Sequence, residues 1–529
     1  MQSITDRNND VVSYTYTPSG KIDTVNLPDS ITAFTYDQQD SLTQMQDRHG
    51  TTTYTYDAAR RLTSKTDVNG FGITYTYDEN GNLLTLTYPG NKTVTYTYDA
   101  LNRIQTVTDW LDRTATYTYD AAGRTTGLTQ FNGTVVTYGY DNANRLTGLE
   151  NRFAQAGSPI ATYQFTLDNN GNRTRAVQEV PISPNLAALS TPFTTSTGNR
   201  LTQAGTNAFT YDNQGQLITA YGNTLTFDAE HRLTSIAGTT TTQFKYDGTG
   251  ERVEGDRNGA IIRYIYDASG NLLAEADSTN QIQRYYIYGA GLLAMVEPND
   301  TLYCYHFDAT GHTVALTDIN KTIVNKYAYS PFGTIANQVE TVAQPFKFVG
   351  QYGIMTEDNG WYYMRARYYD PAVGRFIAED PIGFDGGDVN LYAYVLNNPV
   401  NMIDPDGLAS LWIGGSGIIA TVEEGGNVGK GWAADTSLGT GVYLTKGTSK
   451  GIAASAGLEV GLYTGSIKGD TTVTTGGLGP FSFGLVKGDR WWEIGFVFGV
   501  AKGAPLEISQ SENTTYFVPN DPAPVTTYK

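Results

Sequence analysis

Between Asp10 and Glu150 the chain writes almost the same line again and again: "YTYDAARRLTSK", "YTYDENGNLLTL", "YTYDALNRIQTV", "YTYDAAGRTTGL", "YGYDNANRLTGL". The aspartate of each Tyr-Asp step falls at Asp37, Asp57, Asp78, Asp99, Asp120 and Asp141, a spacing of 20 or 21 residues. After an irregular stretch over 151–200 the pattern returns at Asp212, Asp228, Asp247, Asp267 and Asp308. A fixed period of this length means that each unit is one supersecondary element, able to bury its apolar face only against copies of itself.

The unit reads as a β-hairpin. Tyr-Thr-Tyr alternates between the two faces of a strand, Asp-x-x-Gly/Asn-Arg supplies a turn with the aspartate bonding nearby amides, and Leu-Thr opens the return strand. Hairpins laid side by side give a long continuous sheet, so the expected fold class is all-β. The 38 tyrosines and 58 glycines, against 6 methionines, favour strands and turns over helices. "DENGN" (Asp78 to Asn82) has some of the residues of a calcium loop but not its full spacing, and the turn reading is preferred. Neither a metal nor a cofactor is expected. A formal net charge of −18 argues against nucleic-acid binding by the shell. Cys304 stands alone, which excludes an internal disulfide framework. No secretory signal is visible after Met1, and no apolar run reaches the length of a membrane helix.

The "YxYDxxGRLT" units, over about residues 10 to 408, resemble the YD repeats of RHS proteins, insecticidal toxin C subunits and teneurins. The resemblance implies that the hairpins wind into a spiral β-shell. Three domains are expected: the repeat shell over 1–345, an RHS-associated core over 346–408, and a variable effector-like domain over 409–529. "FVGQYGIMTEDNGWYYMRARYYDPAVGRFIAEDPIG", followed by "FDGGDVNLYAYVLNNPVNMIDPDGL", carries the core's signature. In that family the core is an intramolecular aspartyl protease that cuts after "DPxGL" and releases the C-terminal domain. The protein is then expected to be bacterial and secreted or cell-surface, with secretion machinery and a cognate immunity protein as partners, and to serve intercellular competition.

Carboxylate proteolysis needs two acids close together, one ionised to activate water and one protonated to polarise the carbonyl. Asp380 and Asp404 are the candidates, each opening an Asp-Pro step at one end of the signature. They are 24 positions apart, so only a folded-back loop joins them; "GFDGG" and "NNP" supply the turns. Arg367, in "MRARYYDP", matches the family arginine and would hold one carboxylate ionised. The cut then falls between Leu408 and Ala409. Asp370, Asp385, Asp388 and Asp406 are lesser candidates. A purely structural reading makes the Asp-Pro pairs turn starters and the aromatics packing residues.

The tail, from Ala409, lacks His and Cys, which removes histidine nucleases, Ser-His-Asp hydrolases and Cys/His zinc sites. "EGGNVGKG" (Glu424 to Gly431) departs from a phosphate loop at both ends. "WWEIGFVFGV" places Trp492, Ile494, Phe496, Phe498 and Val500 on one strand face, and "FSFGLVKGDRWWEIGFVFGV" reads as a hairpin turning at Lys487 to Arg490. "GLEVGLYTGS" and "GVYLTKG" read as further strands of a small Gly-rich β-domain. Three tail readings compete: an enzyme drawing on Glu459, Asp489, Arg490 or Glu493, a membrane-active β-structure, and a non-toxic cap. For the whole chain the class-different alternative is a cell-surface adhesin whose tyrosines bind glycans or proteins.

Length adds one more expectation. Some 400 residues of hairpins make a ribbon of ~180 Å, enough for about one turn around a globule of the tail's size, which needs ~140 Å. Enclosure needs about two such turns, so the chain reads as part of a larger shell or one completed by a partner.

Overall fold

In a computed structural model of the chain, residues 2–186, 190–408, 411–412, 472–478, 481–488 and 491–497 are described, Gln2 and the last four stretches as backbone alone. They fall into two units, Met1–Leu444 and Thr445–Lys529.

In the first unit the hairpins join into two long antiparallel sheets. One has 17 strands, from Gln2–Thr5 to Arg173–Glu179; the other has 16, from Phe193–Thr195 to Ile335–Glu340. Each strand pairs with its neighbours in the chain, so sequence order is spatial order.

The repeat's signature residues explain the stacking. In the hairpin of Lys92–Tyr98 and Ile104–Thr108, Asp99 Oδ1 accepts the amides of Leu101 (2.9 Å) and Arg103 (3.0 Å), and its Oδ2 accepts Arg103 Nε at 2.7 Å. Asn102 takes a left-handed φ of 60°, which is why Gly or Asn recurs at this place in the unit. The ladder slips between Thr97 and Tyr98, the bulge that such a three-residue hairpin turn requires. The next unit then leans back: Tyr119 donates its hydroxyl to the Ile104 carbonyl at 2.7 Å, and the Arg103 guanidinium lies 4.2 Å from the Tyr119 ring centre. Tyr77 repeats both contacts with Leu62 and Arg61, and Tyr140 with Thr125 and Arg124. Asp shapes the turn, Arg braces Asp and covers the next Tyr, and Tyr ties its hairpin to the one before. Asp78 of "DENGN" is used in the same way, accepting the Asn82 amide at 2.8 Å and Asn82 Nδ2 at 2.7 Å.

The irregular stretch supplies one more hairpin, Pro159–Leu167 with Arg173–Glu179, which ends the first sheet. Phe193–Thr195 then opens the second. The two sheets lie against each other at long offsets. Asp47 accepts the Gly248 amide 201 residues on. Tyr88 donates to the Tyr286 carbonyl 198 on, and Asn132 to Thr317 185 on. Asn151 donates to the Phe307 carbonyl only 156 on. The ribbon therefore returns to itself after one 17-strand sheet, a length of ~80 Å rather than ~140 Å. The physical reason is that the curving sheets close on residues of their own chain. Phe346 is fully buried, with its ring 4.8 Å from that of Tyr286 and 6.4 Å from that of Tyr305.

Residues after Phe346 form a short-stranded, aromatic plug. Its four-stranded sheet runs Met355–Thr356, Tyr362–Met364, Arg367–Asp370 and Arg375–Phe376. Phe348, Tyr362, Tyr369, Phe376 and Tyr394 pack into a core of their own. A buried arginine fastens this plug to the second sheet. Arg252 pairs with Glu357 and lies 4.1 Å from the Tyr363 ring and 4.7 Å from that of Tyr264. Burial would raise the Glu357 pKa, but Arg252 and Arg257 hold it below the ordinary value.

The second unit contains a three-stranded antiparallel sheet of Thr472–Leu478, Phe481–Gly488 and Trp491–Val497. Gly488 stands opposite Trp491, so the hairpin expected between Lys487 and Arg490 is present. "GLEVGLYTGS" and "GVYLTKG" lie outside the described residues, as do the tail candidates Glu459, Asp489 and Arg490. Among the described residues no helix is long and apolar enough to cross a membrane.

Candidate active site

Arg367 opens the strand Arg367–Asp370, and its side chain is almost wholly buried. One of its nitrogens, Nη2, lies 2.8 Å from Asp380 Oδ2 and 3.5 Å from Asp404 Oδ2. The three residues expected to work together are thus drawn to a single atom. Two 3-10 turns, Gly383–Gly386 and Val395–Asn397, fold the intervening segment back. The Asp380 amide bonds the Leu391 carbonyl at 3.0 Å, and Arg367 Nη1 donates to that same carbonyl at 3.0 Å. The guanidinium rests on the Phe376 ring, 3.7 Å from its centre, which excludes water from that side.

Leu408 completes the arrangement. Its amide donates to Asp404 Oδ1 at 3.1 Å, and the carbonyl before it, on Gly407, accepts Arg367 Nε. A methyl group built on Gly386 would stand 2.6 Å from Asp380 Oδ2 and 3.1 Å from the Leu408 carbonyl oxygen, so those two oxygens face one small space. Beside it is a cavity of about 10 Å³ walled by Arg367, Asp380, Gly386, Asp388, Asp404 and Leu408 among others. That is the scale of one water molecule. Asp404 is buried and Leu408 half-buried. Ala409 lies outside the described residues. The backbone of Met402–Ile403 pairs with that of Leu411–Trp412.

Burial pushes the Asp380 carboxyl above the ordinary aspartate range, with Arg367 opposing the rise. Burial also lowers Arg367, against the pull of Asp404 and Asp380. A carboxyl whose charge burial disfavours therefore shares a guanidinium with a second, more deeply buried one.

The lesser candidates are engaged elsewhere. Asp370 accepts the Tyr221 hydroxyl at 2.8 Å, and Asp406 pairs with Arg365 at 2.7 Å. Asp388 accepts the Asn390 amide at 2.8 Å while walling the small cavity; Asp385 is exposed on its 3-10 turn. Three residues at the site were not singled out in the sequence: Arg365, Gly386 and Gly407. The only signal for Arg365 was its place two residues before Arg367 in "MRARYYDP". A larger cavity of about 500 Å³ borders Arg367, Asp380 and Leu408 from another side and is lined by Arg7, Arg232 and Arg365 as well.

The repeat, its stacking and this core together define a family. The model described as the teneurin YD-shell matches residues 43–147 and 129–400. The chain belongs to the YD-shell family. Among curated proteins this YD-shell chain is 38% identical over 176 residues to the tRNA3(Ser)-specific nuclease WapA of Bacillus spizizenii, a match covering 31% of this chain and 7% of that protein. It is 35% identical over 225 residues to the tRNA nuclease WapA of Bacillus subtilis, covering 39% and 9%. Toxin protein Tse5 of Pseudomonas aeruginosa is 38% identical over 104 residues, covering 20% and 8%. The chain thus spans less than a tenth of the length of these relatives. Among solved structures, TcdB2-TccC3-Cdc42 aligns with 75% of this chain and 22% of that one, at 18% identity and a TM-score of 0.34.

Proposed function

We propose that this chain is the YD-shell and self-cutting core of an RHS-type polymorphic toxin, and that it hydrolyses its own Leu408–Ala409 bond to release residues 409–529 as an effector. The observation that carries the reading is the convergence of Asp380, Asp404 and Leu408 on Arg367. The relatives support the effector half, since two are named as tRNA nucleases and one as a toxin protein. Delivery machinery and an immunity protein follow as partners on the same reading.

In the proposed step Asp380, protonated because its surroundings disfavour the charge, donates to the Leu408 carbonyl oxygen. Asp404, beside Arg367, acts as the base and takes a proton from a water molecule, and the resulting hydroxide attacks the carbonyl carbon. The tetrahedral intermediate collapses as Asp404 passes the proton it took from water to the Ala409 nitrogen, a hydroxyl of the intermediate returns a proton to Asp380, and the C–N bond breaks. The products are the Leu408 carboxylate and the Ala409 amine. The glycan-binding alternative finds less support, because repeat tyrosines such as Tyr77, Tyr119 and Tyr140 spend their hydroxyls on the preceding hairpin.

Intact mass spectrometry of the folded wild-type chain tests the proposal. Pieces of 408 and 121 residues are expected from the 529-residue sequence. A single intact mass would overturn it.

A further inference from the structure

The segment that ends at Leu408 is held by its peptide groups as much as by its side chains, and one short turn does the holding. Arg365 Nη1 donates to the Pro405 carbonyl at 3.1 Å and to Asp406 Oδ1 at 2.7 Å. The Ala366 amide donates to the Asp406 carbonyl at 3.1 Å. Arg367 Nε donates to the Gly407 carbonyl. Three consecutive carbonyls are therefore received by three consecutive residues, at the tip that joins Tyr362–Met364 to Arg367–Asp370. The tip itself is held rigidly. Arg365 has a left-handed φ of 52°, and the flanking Tyr363 and Tyr368 enclose the buried Arg252. Close contact with the tip also limits what can pass beneath it. A methyl group on Gly407 would stand 2.5 Å from the Met364 carbonyl oxygen, and Gly407 has a φ of +68°.

We propose that Arg365 is the positioning residue of the self-cleavage reaction, fixing which peptide bond is presented to the acid pair by gripping Pro405 and Asp406. This rests on the cleavage reading above and adds to it the source of the cut's register. Arg367 does two jobs, touching both acids and the Gly407 carbonyl, whereas Arg365 donates to Pro405, Asp406 and the Tyr352 carbonyl. Its pairing with Asp406 and Pro405 sets the start of a short count that ends at Leu408, whose amide meets Asp404. Loss of Arg365 leaves the acids in place and loosens the substrate beneath them, and misplacement by an ångström is enough to slow an oriented reaction greatly.

The test collects the full chain unfolded in guanidinium, dilutes it into buffers across a pH series, and follows the products by intact mass over time. Arg365→Ala is expected to cleave at least about tenfold more slowly than wild type, and to yield pieces cut at neighbouring bonds beside the 408-residue one. Its dependence on pH should match wild type, because the acid pair and Arg367 are untouched; a purely structural defect would lower the yield without scattering the cut. Arg365→Lys, which restores one charged donor, should recover part of the rate and sharpen the cut. Gly407→Ala pushes the same segment away from the tip, its methyl meeting the Met364 carbonyl, and should reproduce the scattered, slow cutting, which keeps the test valid if Arg365→Ala does not fold. Wild-type rate at a single bond in both Arg365→Ala and Gly407→Ala would overturn the inference while leaving the cleavage reading intact. A wild type that never cuts overturns the cleavage reading, and this one with it.

Discussion

The Leu408 amide donates to Asp404 Oδ1 at 3.1 Å, so the residue before the proposed cut is tethered to one of the two acids proposed to make it. Asp404→Asn preserves an oxygen to accept that bond but removes the negative charge beside Arg367. Asp380→Asn removes the proton that the reaction needs. Each variant is expected to stay uncleaved while keeping the wild-type elution volume and circular dichroism. Normal cleavage by Asp404→Asn would show that the pairing with Asp380 is wrong.

The rate should carry the sign of the Asp380 shift. Burial raises this carboxyl and so keeps it protonated to a higher pH than an ordinary aspartate. Cleavage should decline as pH rises through that raised value, not through the ordinary one. Arg367 opposes the rise, so Arg367→Ala should cut slowly and move the alkaline decline to higher pH. Rates measured after dilution from denaturant across pH will show the limb; movement to lower pH in Arg367→Ala would contradict the assignment of Asp380 as the proton donor.

Gly386 keeps the meeting point of the acid and the carbonyl open. Its missing side chain would stand 2.6 Å from Asp380 Oδ2 and 3.1 Å from the Leu408 oxygen. Gly386→Ala is expected to slow cleavage by roughly a hundredfold, the scale of a misplaced reacting group. The half-exposed turn that carries it should tolerate the methyl, so thermal unfolding should move little. Gly383 on the same turn has open space at its Cβ position but a left-handed φ of 62°, so Gly383→Ala shows what backbone strain in the turn does without a clash at the site.

How much of the fold and the site is legible in the sequence follows from what each feature depends on. The hairpin unit is local: Asp99, Asn102 and Arg103 shape their own turn, and a 20- or 21-residue period displays them repeatedly. Asp380, Asp404 and Arg367 stand out because Asp-Pro steps and the core signature mark them, and the fold brings their side chains together. The narrow circuit is not legible, because curvature depends on contacts such as Tyr88 with Tyr286, 198 residues apart, which no local pattern announces. Gly386 and Gly407 escaped for a related reason. A glycine's use at a site is the absence of a clash, and that exists only when another segment arrives.

The seam between the two courses of ribbon should respond to pH through Asp67. Its carboxyl is buried, with Oδ1 accepting the amides of Asn69 and Phe71 at 2.9 Å each, while Oδ2 is buried without a hydrogen-bond partner. Burial pushes its pKa up to about 6, with the backbone bonds and Lys65 opposing and Asp247 reinforcing. A carboxyl raised in the folded state binds its proton more tightly there than in the unfolded chain. Its contribution is therefore fully present below the unfolded value of 3.8 and is lost as pH rises through about 6. Above that, the folded protein carries a buried charge at a cost of about 1–3 kcal/mol. Asp67→Asn keeps an oxygen for both amides and never ionises. It should stabilise the first unit by about 1–3 kcal/mol at pH 8 and by nothing measurable near pH 3. Denaturant unfolding of the uncleavable Asp380→Asn chain, with and without Asp67→Asn, measures the difference at both pH values. An equal effect at the two would mean that Lys65, which bonds Glu251 at 3.0 Å across the same seam, neutralises Asp67 throughout.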